Sequence, residues 1–516
     1  MHYEAVLKVV GILFAMFSVS LIPPIAISYF YGDGSLFAFV VSFAVVLAAG
    51  VIIWFPVRNK PTQLGPREGF LTVAAYWISL AVAGTLPFLL SEDLHIGFTD
   101  AFFESMSGLT TTGATVLTGL DDLPKSVLYY RQQLQWLGGM GIIVLAVAVI
   151  PMLGIGGMQL YRAEMPGAMR NTKLTPRIKE TAKALWYIYL GLTVVCALAY
   201  WLAGMTPFDA IAHSFSTIAI GGFSTHDASF AFFENDAILY VALVFMILSG
   251  INFALHFRVL SRSSGFRVLS GIRARFRDRR SRRNPFHTST FAGDSSFRQY
   301  LRDAELRTYL SVLLISALMV AVVLVLAYDH YESSSVTIKH GLFQAISIAT
   351  TSGFTTTDFS SWPLFLPAFL LAVSIIGGCT GSTAGGVKVF RVILLFKQGR
   401  REILQLIHPD AVFPIRMNQA PVHDRVINAV WGFFVLYVVS FVILALVLMA
   451  TGLDMITAYS TVTACLNNLG PALGDAAQNY QELSPASKWV LAFTMLLGRL
   501  ELLTLLILVT PRYWRD

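Results

Sequence analysis

The residues of this chain that could do chemistry lie in short turns, not in a cluster of acids, bases or nucleophiles. Four turns stand out: Leu109-Thr110-Thr111-Thr112-Gly113-Ala114-Thr115, Ala219-Ile220-Gly221-Gly222-Phe223-Ser224-Thr225, Thr350-Thr351-Ser352-Gly353-Phe354-Thr355-Thr356 and Leu466-Asn467-Asn468-Leu469-Gly470-Pro471. Their glycines tolerate φ > 0, so backbone carbonyls can align there without a Cβ clash. A ring of such neutral dipoles can replace the water shell of a cation and cannot comfortably hold an anion. The chemistry on offer is coordination of an ion.

Other chemistries find little support. His213, His226, His256 and His340 lack metal-ligand spacing, and no Ser-His-Asp or paired-carboxylate arrangement is legible. Cys196, Cys379 and Cys465 show no C-x-x-C spacing, so neither a disulfide framework nor a metal site is expected. The run from Gly377 to Lys388 superficially resembles a phosphate-gripping loop, but Val389 follows Lys388 where Ser or Thr is needed. The chain does not read as an enzyme, and no organic cofactor is expected on it.

The turns need carriers. Each follows a segment of about 10 to 13 residues opening at Phe98-Thr99-Asp100-Ala101, Pro207-Phe208-Asp209-Ala210, Ile338-Lys339-His340-Gly341 or Gly452-Leu453-Asp454-Met455, which is re-entrant rather than spanning length. Three of the openings hold an Asp placed to cap a helix and meet the positive end of its dipole. From Gly113, Gly222, Gly353 and Gly470 the next glycine cluster follows 24 to 28 residues later, at Gly138 and Gly139, Gly250, Gly377 and Gly378, and Gly498. Equal internal spacing marks a repeat. Irregular backbone at hydrocarbon depth is tolerated only when buried in protein or lining a filled path. The sequence therefore predicts four membrane-pore-membrane units around one axis. Close helix packing explains Gly138, Gly139 and Gly250 equally well.

Composition agrees. Apolar residues make up 55% of 516 positions and charged residues 13%, against about a quarter charged in soluble domains. Mean hydropathy is +0.65. The start, Met1-His2-Tyr3-Glu4, has no basic n-region or cleavage site and reads as a retained membrane helix. The net charge of +7 sits in alternate loops: Arg58 to Arg67, Arg162 to Lys179, Arg258 to Arg307, and Lys397 to Arg425. The intervening loops are mostly acidic, so the positive-inside rule places both termini in the cytoplasm and the acidic loops outside. The Arg-rich stretch from Arg273 to Arg283 has no recognition fold beside it; anionic lipid or a cytoplasmic partner explains it better than nucleic acid.

The predicted fold class is an all-α polytopic membrane protein, potassium-channel-like, with 10 spanning segments and 4 re-entrant pore loops. Its expected parts are an N-terminal helix pair (1–66), pore repeats at 67–160 and 161–262, an Arg-rich cytoplasmic connection (263–300), a third repeat with an intramembrane loop (301–410) and a fourth repeat (411–516). In the third, Gly377, Gly378, Cys379, Thr380, Gly381, Ser382, Thr383, Ala384, Gly385 and Gly386 should break the helix and bend inward as a gate. Arg499, deep in an apolar span, is its candidate partner, with Glu501 or the loop carbonyls as acceptors. The blander reading is that Arg499 only pairs and the glycines only pack.

With Ile220-Gly-Gly-Phe-Ser-Thr-His-Asp227, Ala349-Thr-Thr-Ser-Gly-Phe-Thr-Thr-Thr-Asp-Phe359 and Gly378-Cys-Thr-Gly-Ser-Thr-Ala-Gly-Gly-Val-Lys388 beside the other turns, essentially the whole chain resembles the TrkH/KtrB/HKT superfamily of potassium transporters. Within it the N-terminal helix pair is similar to the bacterial TrkH proteins. The resemblance implies a homodimer in a bacterial inner membrane, with K+ as the transported ion and one pore per protomer. It also implies a cytoplasmic TrkA-like regulatory subunit, on which alone ATP/ADP or NAD would bind. The filter would comprise Thr111, Thr112 and Gly113; Ile220, Gly221 and Gly222; Thr351, Ser352 and Gly353; and Asn468, Leu469 and Gly470. Proton- or sodium-coupled symport is the alternative to channel-like conduction, and an unrelated secondary transporter with discontinuous helices the more distant one.

Overall fold

The computed structural model describes residues 3–60, 66–144, 175–262, 300–327, 333–363, 365–418, 420–500 and 502–515. Arg162, Arg170, Lys173, the run from Arg273 to Arg283, and Glu501 lie outside them. The first member of the N-terminal pair is two successive helices, Tyr3–Val19 and Ile22–Tyr31, and the second is Leu36–Val57. Pro23 and Pro24 follow immediately on the turn that separates the first two, where their missing N–H groups cost no helical bond.

Beyond this pair, long helices alternate with short ones. Pro66–Leu90, Thr175–Leu202, Ala304–Ala327 and Asp424–Ala450 precede the short helices Phe98–Leu109, Pro207–Ala219, Ser334–Ala349 and Met455–Leu466. Lys125–Val144, Asp236–Ser249, Phe365–Ser374 and Pro485–Arg499 follow them. Their polarity is inverted relative to a soluble fold. Ala304–Ala327 and Asp424–Ala450 each bury only 28% of their membrane-length window, although Ile315, Leu318, Val439 and Ile443 are fully apolar and exposed. Phe98–Leu109, by contrast, is buried without a break from Ala101 to Leu109 despite carrying Glu104, Ser105 and Ser107. Lipid as outer solvent explains both facts, since polar groups there must be satisfied inside the protein.

Among the described residues, six helices are long and apolar enough to cross a membrane, or up to eight if each bent pair is one span. Lys125–Val144 is not among them, because Arg131, Gln132, Gln133 and Gln135 dilute its hydropathy. Asp236–Ser249 turns by 93° into the helix that begins at Phe253. Asn252 stabilises the corner by accepting the Ala254 N–H at 2.8 Å through its side chain. The third long pair is broken where the glycines cluster: Phe365–Ser374 stops, and Val389–Ile407 resumes after a segment without regular structure. A small antiparallel hairpin, Arg416–Met417 with Ala420–Pro421, leads to the last long pair.

The helix starts differ from expectation. Of the three Asp residues expected to cap, only Asp454 does, accepting the Ile456 N–H at 2.9 Å. Asp100 sits inside its first turn and pairs with Lys488 at 2.6 Å. Thr206 is the cap for the second helix, and Asp209 instead accepts from Thr225 at 2.9 Å. The third helix begins at Ser334, capped by Ser333, and is 16 residues long. Its first turn, Ser334-Ser335-Val336-Thr337, is mostly hydroxylic and gave little hydrophobic boundary to read.

Candidate functional site

The four short helices end alike. Thr112, Gly221, Ser352 and Leu469 each donate a backbone N–H to the carbonyl five residues earlier, on Ser107, Ser216, Ser347 and Ala464, at 2.9, 2.9, 2.8 and 2.7 Å. That bond requires the preceding residue to be left-handed. Thr111, Ile220, Thr351 and Asn468 are, with φ of 51°, 54°, 63° and 52°. Glycine usually occupies this position. Here three of the four residues are β-branched, a real outlier costing on the order of 1–3 kcal/mol each. Two residues on, Gly113, Gly222, Gly353 and Gly470 have φ of 84°, 86°, 81° and 92°, so the sign of φ alternates along every turn.

The turns close on one another in chain order. A Cβ built on Gly113 would collide with the Gly221 carbonyl, on Gly222 with that of Ser352, on Gly353 with that of Leu469, and on Gly470 with that of Thr112 at 2.7 Å. Each contact leads to the next turn, and the last returns to the first. The predicted residues Thr111 to Gly113, Ile220 to Gly222, Thr351 to Gly353 and Asn468 to Gly470 are thus brought into one ring, all buried except the partly exposed Gly113 and Gly222. The glycines of the following helices pack behind it: added Cβ atoms on Gly138 and Gly498 would strike the Leu109 and Leu466 carbonyls, whereas Gly250 is closed off by the Tyr309 hydroxyl.

Side chains fix the ring from outside. Gln135 donates to the Gly221 carbonyl at 2.6 Å and accepts the Phe223 N–H at 3.2 Å. Tyr480 donates its hydroxyl to the Gly470 carbonyl at 2.7 Å. Asn468 donates to the Thr112 hydroxyl at 3.0 Å. Arg131 and Glu104, 1% and 0% exposed, pair at 2.7 Å. Arg131 also reaches the Ser224 carbonyl at 3.1 Å, while Glu104 takes the Val116 N–H at 3.0 Å, tying together the strands that leave the first two turns. Sequence reasoning passed over Glu104, Arg131, Gln135 and Tyr480. Arg131 carried the signal that singled out Arg499, a cation within a long helix.

The segment from Gly377 to Gly386 lies against this ring. Gly385 donates its N–H to the Thr351 hydroxyl at 2.7 Å, and Gly386 to the Asn467 carbonyl at 3.2 Å. Thr383 donates to the Ile218 carbonyl at 2.9 Å. Farther along, Cys379 N–H reaches the Gly250 carbonyl at 2.9 Å, the Gly381 carbonyl accepts from Phe253 at 3.1 Å, and the Gly378 carbonyl from Val389 at 3.1 Å. Ser382 bonds back to the Cys379 carbonyl at 2.6 Å, and Lys388 holds the Ala384 carbonyl. A Cβ on Gly377 would strike the Gly385 carbonyl and one on Gly385 the Asn467 carbonyl, and the Thr380 N–H goes to Glu305. Arg499 ends its helix 7% exposed and donates to the Thr383 carbonyl at 3.1 Å. Its Nε and Nη2 meet no acceptor among the described residues. Of the two acceptors expected, a loop carbonyl is in place, and Glu501 lies outside the described residues.

On the side of the acidic loops the structure joins two histidines that the sequence left scattered. His226 Nδ1 meets Asp121, its ring stacks on Phe232 with centroids 3.4 Å apart, and its Nε2 lies 3.6 Å from Asp209. Burial alone would lower its pKa; Asp209 and Asp121 outweigh that and hold it above the ordinary histidine value. His213 is parallel to it, 6.4 Å away, with Nε2 at 2.9 Å from the Ser224 hydroxyl. No group of His, Cys, Asp and Glu among the described residues could hold a metal ion by side chains alone.

A helical membrane protein with such a ring falls into the class of ion-translocating proteins, and residues 35–515 match the family model for TrkH, described as a cation transport protein. The chain belongs to that family. It is 51% identical over 516 residues to the Trk system potassium uptake protein TrkH of Vibrio parahaemolyticus serotype O3:K6, covering 100% of both chains. It is 49% identical over 517 residues to TrkH of Escherichia coli K12, again over 100% of both. To the TrkG protein of the same organism it is 39% identical over 519 residues, covering 100% of this chain and 99% of the relative. The fold superimposes on the crystal structure of the potassium transporter TrkH from Vibrio parahaemolyticus with a TM-score of 0.87 and 48% identity, over 100% of each chain.

Proposed function

We propose that this chain takes up potassium through a single-chain pore whose selectivity filter is the ring around Gly113, Gly222, Gly353 and Gly470. The carrying observation is the shared left-handed end of the four short helices, kept at Thr111, Ile220 and Thr351 despite their β-branching. Strain retained in register at all four corners implies that the backbone itself is the working part. Alternating φ signs line N–H groups along one face of a strand and carbonyls along the other. The partly negative C-terminal ends of the short helices add to the field a cation meets. The four membrane-pore-membrane units, ten spans in all, surround this axis.

The segment 377–386 then serves as the gate beneath the filter, with Arg499 as its electrostatic partner. Small side chains let it leave the path, and the Arg499 nitrogens that meet no acceptor among the described residues fit a water-lined cavity better than lipid. The Arg-rich loops face the cytoplasm, as do both termini, in the inner membrane. They offer footing for a TrkA-like subunit carrying the nucleotide, beneath a homodimer with one pore per protomer. Potassium-dependent flux into liposomes tests the reading, measured with and without proton and sodium gradients. Flux along the potassium gradient alone, and loss of potassium preference on filter substitution, are expected. Uptake strictly dependent on a second ion gradient would replace the channel reading with symport, and flux indifferent to filter substitutions would refute the site.

A further inference from the structure

Among the described residues one acid holds the segment 377–386, and it belongs neither to the ring nor to the helices flanking the segment. Glu305, 7% exposed in the first turn of Ala304–Ala327, accepts the Thr380 N–H at 2.6 Å. A carboxyl oxygen accepts such a bond whether or not the group is ionised, and a buried amide left without an acceptor is costly. The start of that helix is in turn pinned by the hairpin. Asn418 accepts the Ala304 N–H at 2.8 Å and donates to Asp303 at 3.3 Å, while Asp303 accepts the Leu306 N–H at 3.1 Å. Asn252, Asp303, Glu305, Cys379, Met417 and Asn418 line one cavity there. A continuous set of polar contacts therefore runs from an exposed hairpin tip to the middle of the segment.

We propose that Glu305 is a positioning residue that latches the segment 377–386 in the conformation seen here, with Asn418 and Asp303 fixing the helix turn from which it reaches. This rests on the reading of that segment as the gate. Its place gives the latch a use: displacing the hairpin shifts the first turn of Ala304–Ala327 and withdraws the carboxylate from Thr380, so that an event on the Arg-rich side loosens the segment without touching the ring. Arg499 and Lys388 do not replace it, since both donate to carbonyls at Thr383 and Ala384 and leave the Thr380 amide unserved.

Thiol labelling of the full-length protein in liposomes tests the latch, because Cys379 sits in the segment, and Cys196, Cys379 and Cys465 are all buried. With N-ethylmaleimide and peptide-resolved mass spectrometry, Glu305→Ala is expected to speed modification of Cys379 roughly tenfold, as leaving the buried Thr380 amide without an acceptor predicts. Cys196 and Cys465 should stay slow. Glu305→Gln, which keeps an acceptor, should restore most of the protection. If Glu305→Ala protein is not recovered, Glu305→Asp withdraws the carboxylate by one methylene, keeps its charge, and should show the same selective rise. No rise at Cys379, an equal rise at all three cysteines, or equal rates for Gln and Ala would each overturn the proposal. Potassium flux in the same liposomes separates it from the gate assignment: faster Cys379 labelling with unchanged flux supports the latch and removes the gate.

Discussion

Gly353→Ser is the most direct perturbation of the proposed filter. Gly353 sits at φ of 81°, and its Cβ would overlap the Leu469 carbonyl and approach Pro471 Cδ at 2.9 Å. An L-residue in the left-handed region costs about 1–2 kcal/mol, and overpacking a tight site about 1–3 kcal/mol more. Neither obstacle can swing away, one being backbone and the other a proline ring. The ring must widen at the contact between the third and fourth turns. About 1.4 kcal/mol of that perturbation falling differently on potassium and sodium changes their rate ratio tenfold, so a fall of about tenfold in potassium preference is expected. Reversal potentials under bi-ionic conditions in planar bilayers read this directly. Gly399→Ser is the control, since a Cβ there meets nothing within 4 Å. An unchanged permeability ratio in folded Gly353→Ser protein would refute the filter assignment.

Two further outcomes follow from the groups around the ring. Arg131→Ala leaves Glu104 buried at 0% exposure without its cation, and breaking a buried pair from one side costs about 3–5 kcal/mol. Denaturant unfolding in detergent should show that loss, with Arg131→Met/Glu104→Gln recovering part of it; an effect below about 1 kcal/mol would mean water reaches the site. His226 titrates above the ordinary value because Asp209 and Asp121 overcome its burial. Its contribution to stability is complete below the unfolded histidine pKa and is lost as pH rises through the raised folded value. The thermal stability difference between wild type and His226→Gln should therefore shrink from pH 5.5 to pH 9, and a difference that grows with pH would contradict the pairing.

Where the sequence was legible, a physical demand left one residue type able to meet it. Gly113, Gly222, Gly353 and Gly470 could be aligned because neighbouring carbonyls leave no room for a Cβ. Gly377 to Gly386 announced a broken helix because glycine is so poor a helix former. The helix pair at the N-terminus was plain from apolar length. Thr111, Ile220 and Thr351 were illegible for the opposite reason: nothing about a β-branched residue signals a left-handed helix end, and only tertiary contacts impose it. Glu104, Gln135 and Tyr480 were equally silent, since their roles depend on partners 27, 86 and 10 residues away. Nothing in the sequence distinguishes Glu305 from an ordinary first-turn acid, since its partner Thr380 lies 75 residues away.

Those silent residues bear on how well the proposed filter discriminates. A ring built from one repeated sequence presents equal carbonyls, and its field on an ion is even. Here the four corners are held differently. The Gly221 carbonyl already accepts from Gln135 and the Gly470 carbonyl from Tyr480, whereas hydroxyl pairs brace the other two turns, Thr110 with Thr112 at 2.8 Å and Thr350 with Ser352 at 2.8 Å. An oxygen that accepts one hydrogen bond has one lone pair and less negative charge left for an ion. Gly221 is the equivalent of Thr112, Ser352 and Leu469, and Gly470 that of Gly113, Gly222 and Gly353, so in the proposed filter one carbonyl in each of two successive layers is expected to be the weaker ligand. Selectivity that depends on the number and field strength of coordinating dipoles is expected to fall when one dipole of a layer is partly occupied. In the proposed filter, the side chains that stabilise this strained backbone would thus limit how sharply potassium is separated from sodium.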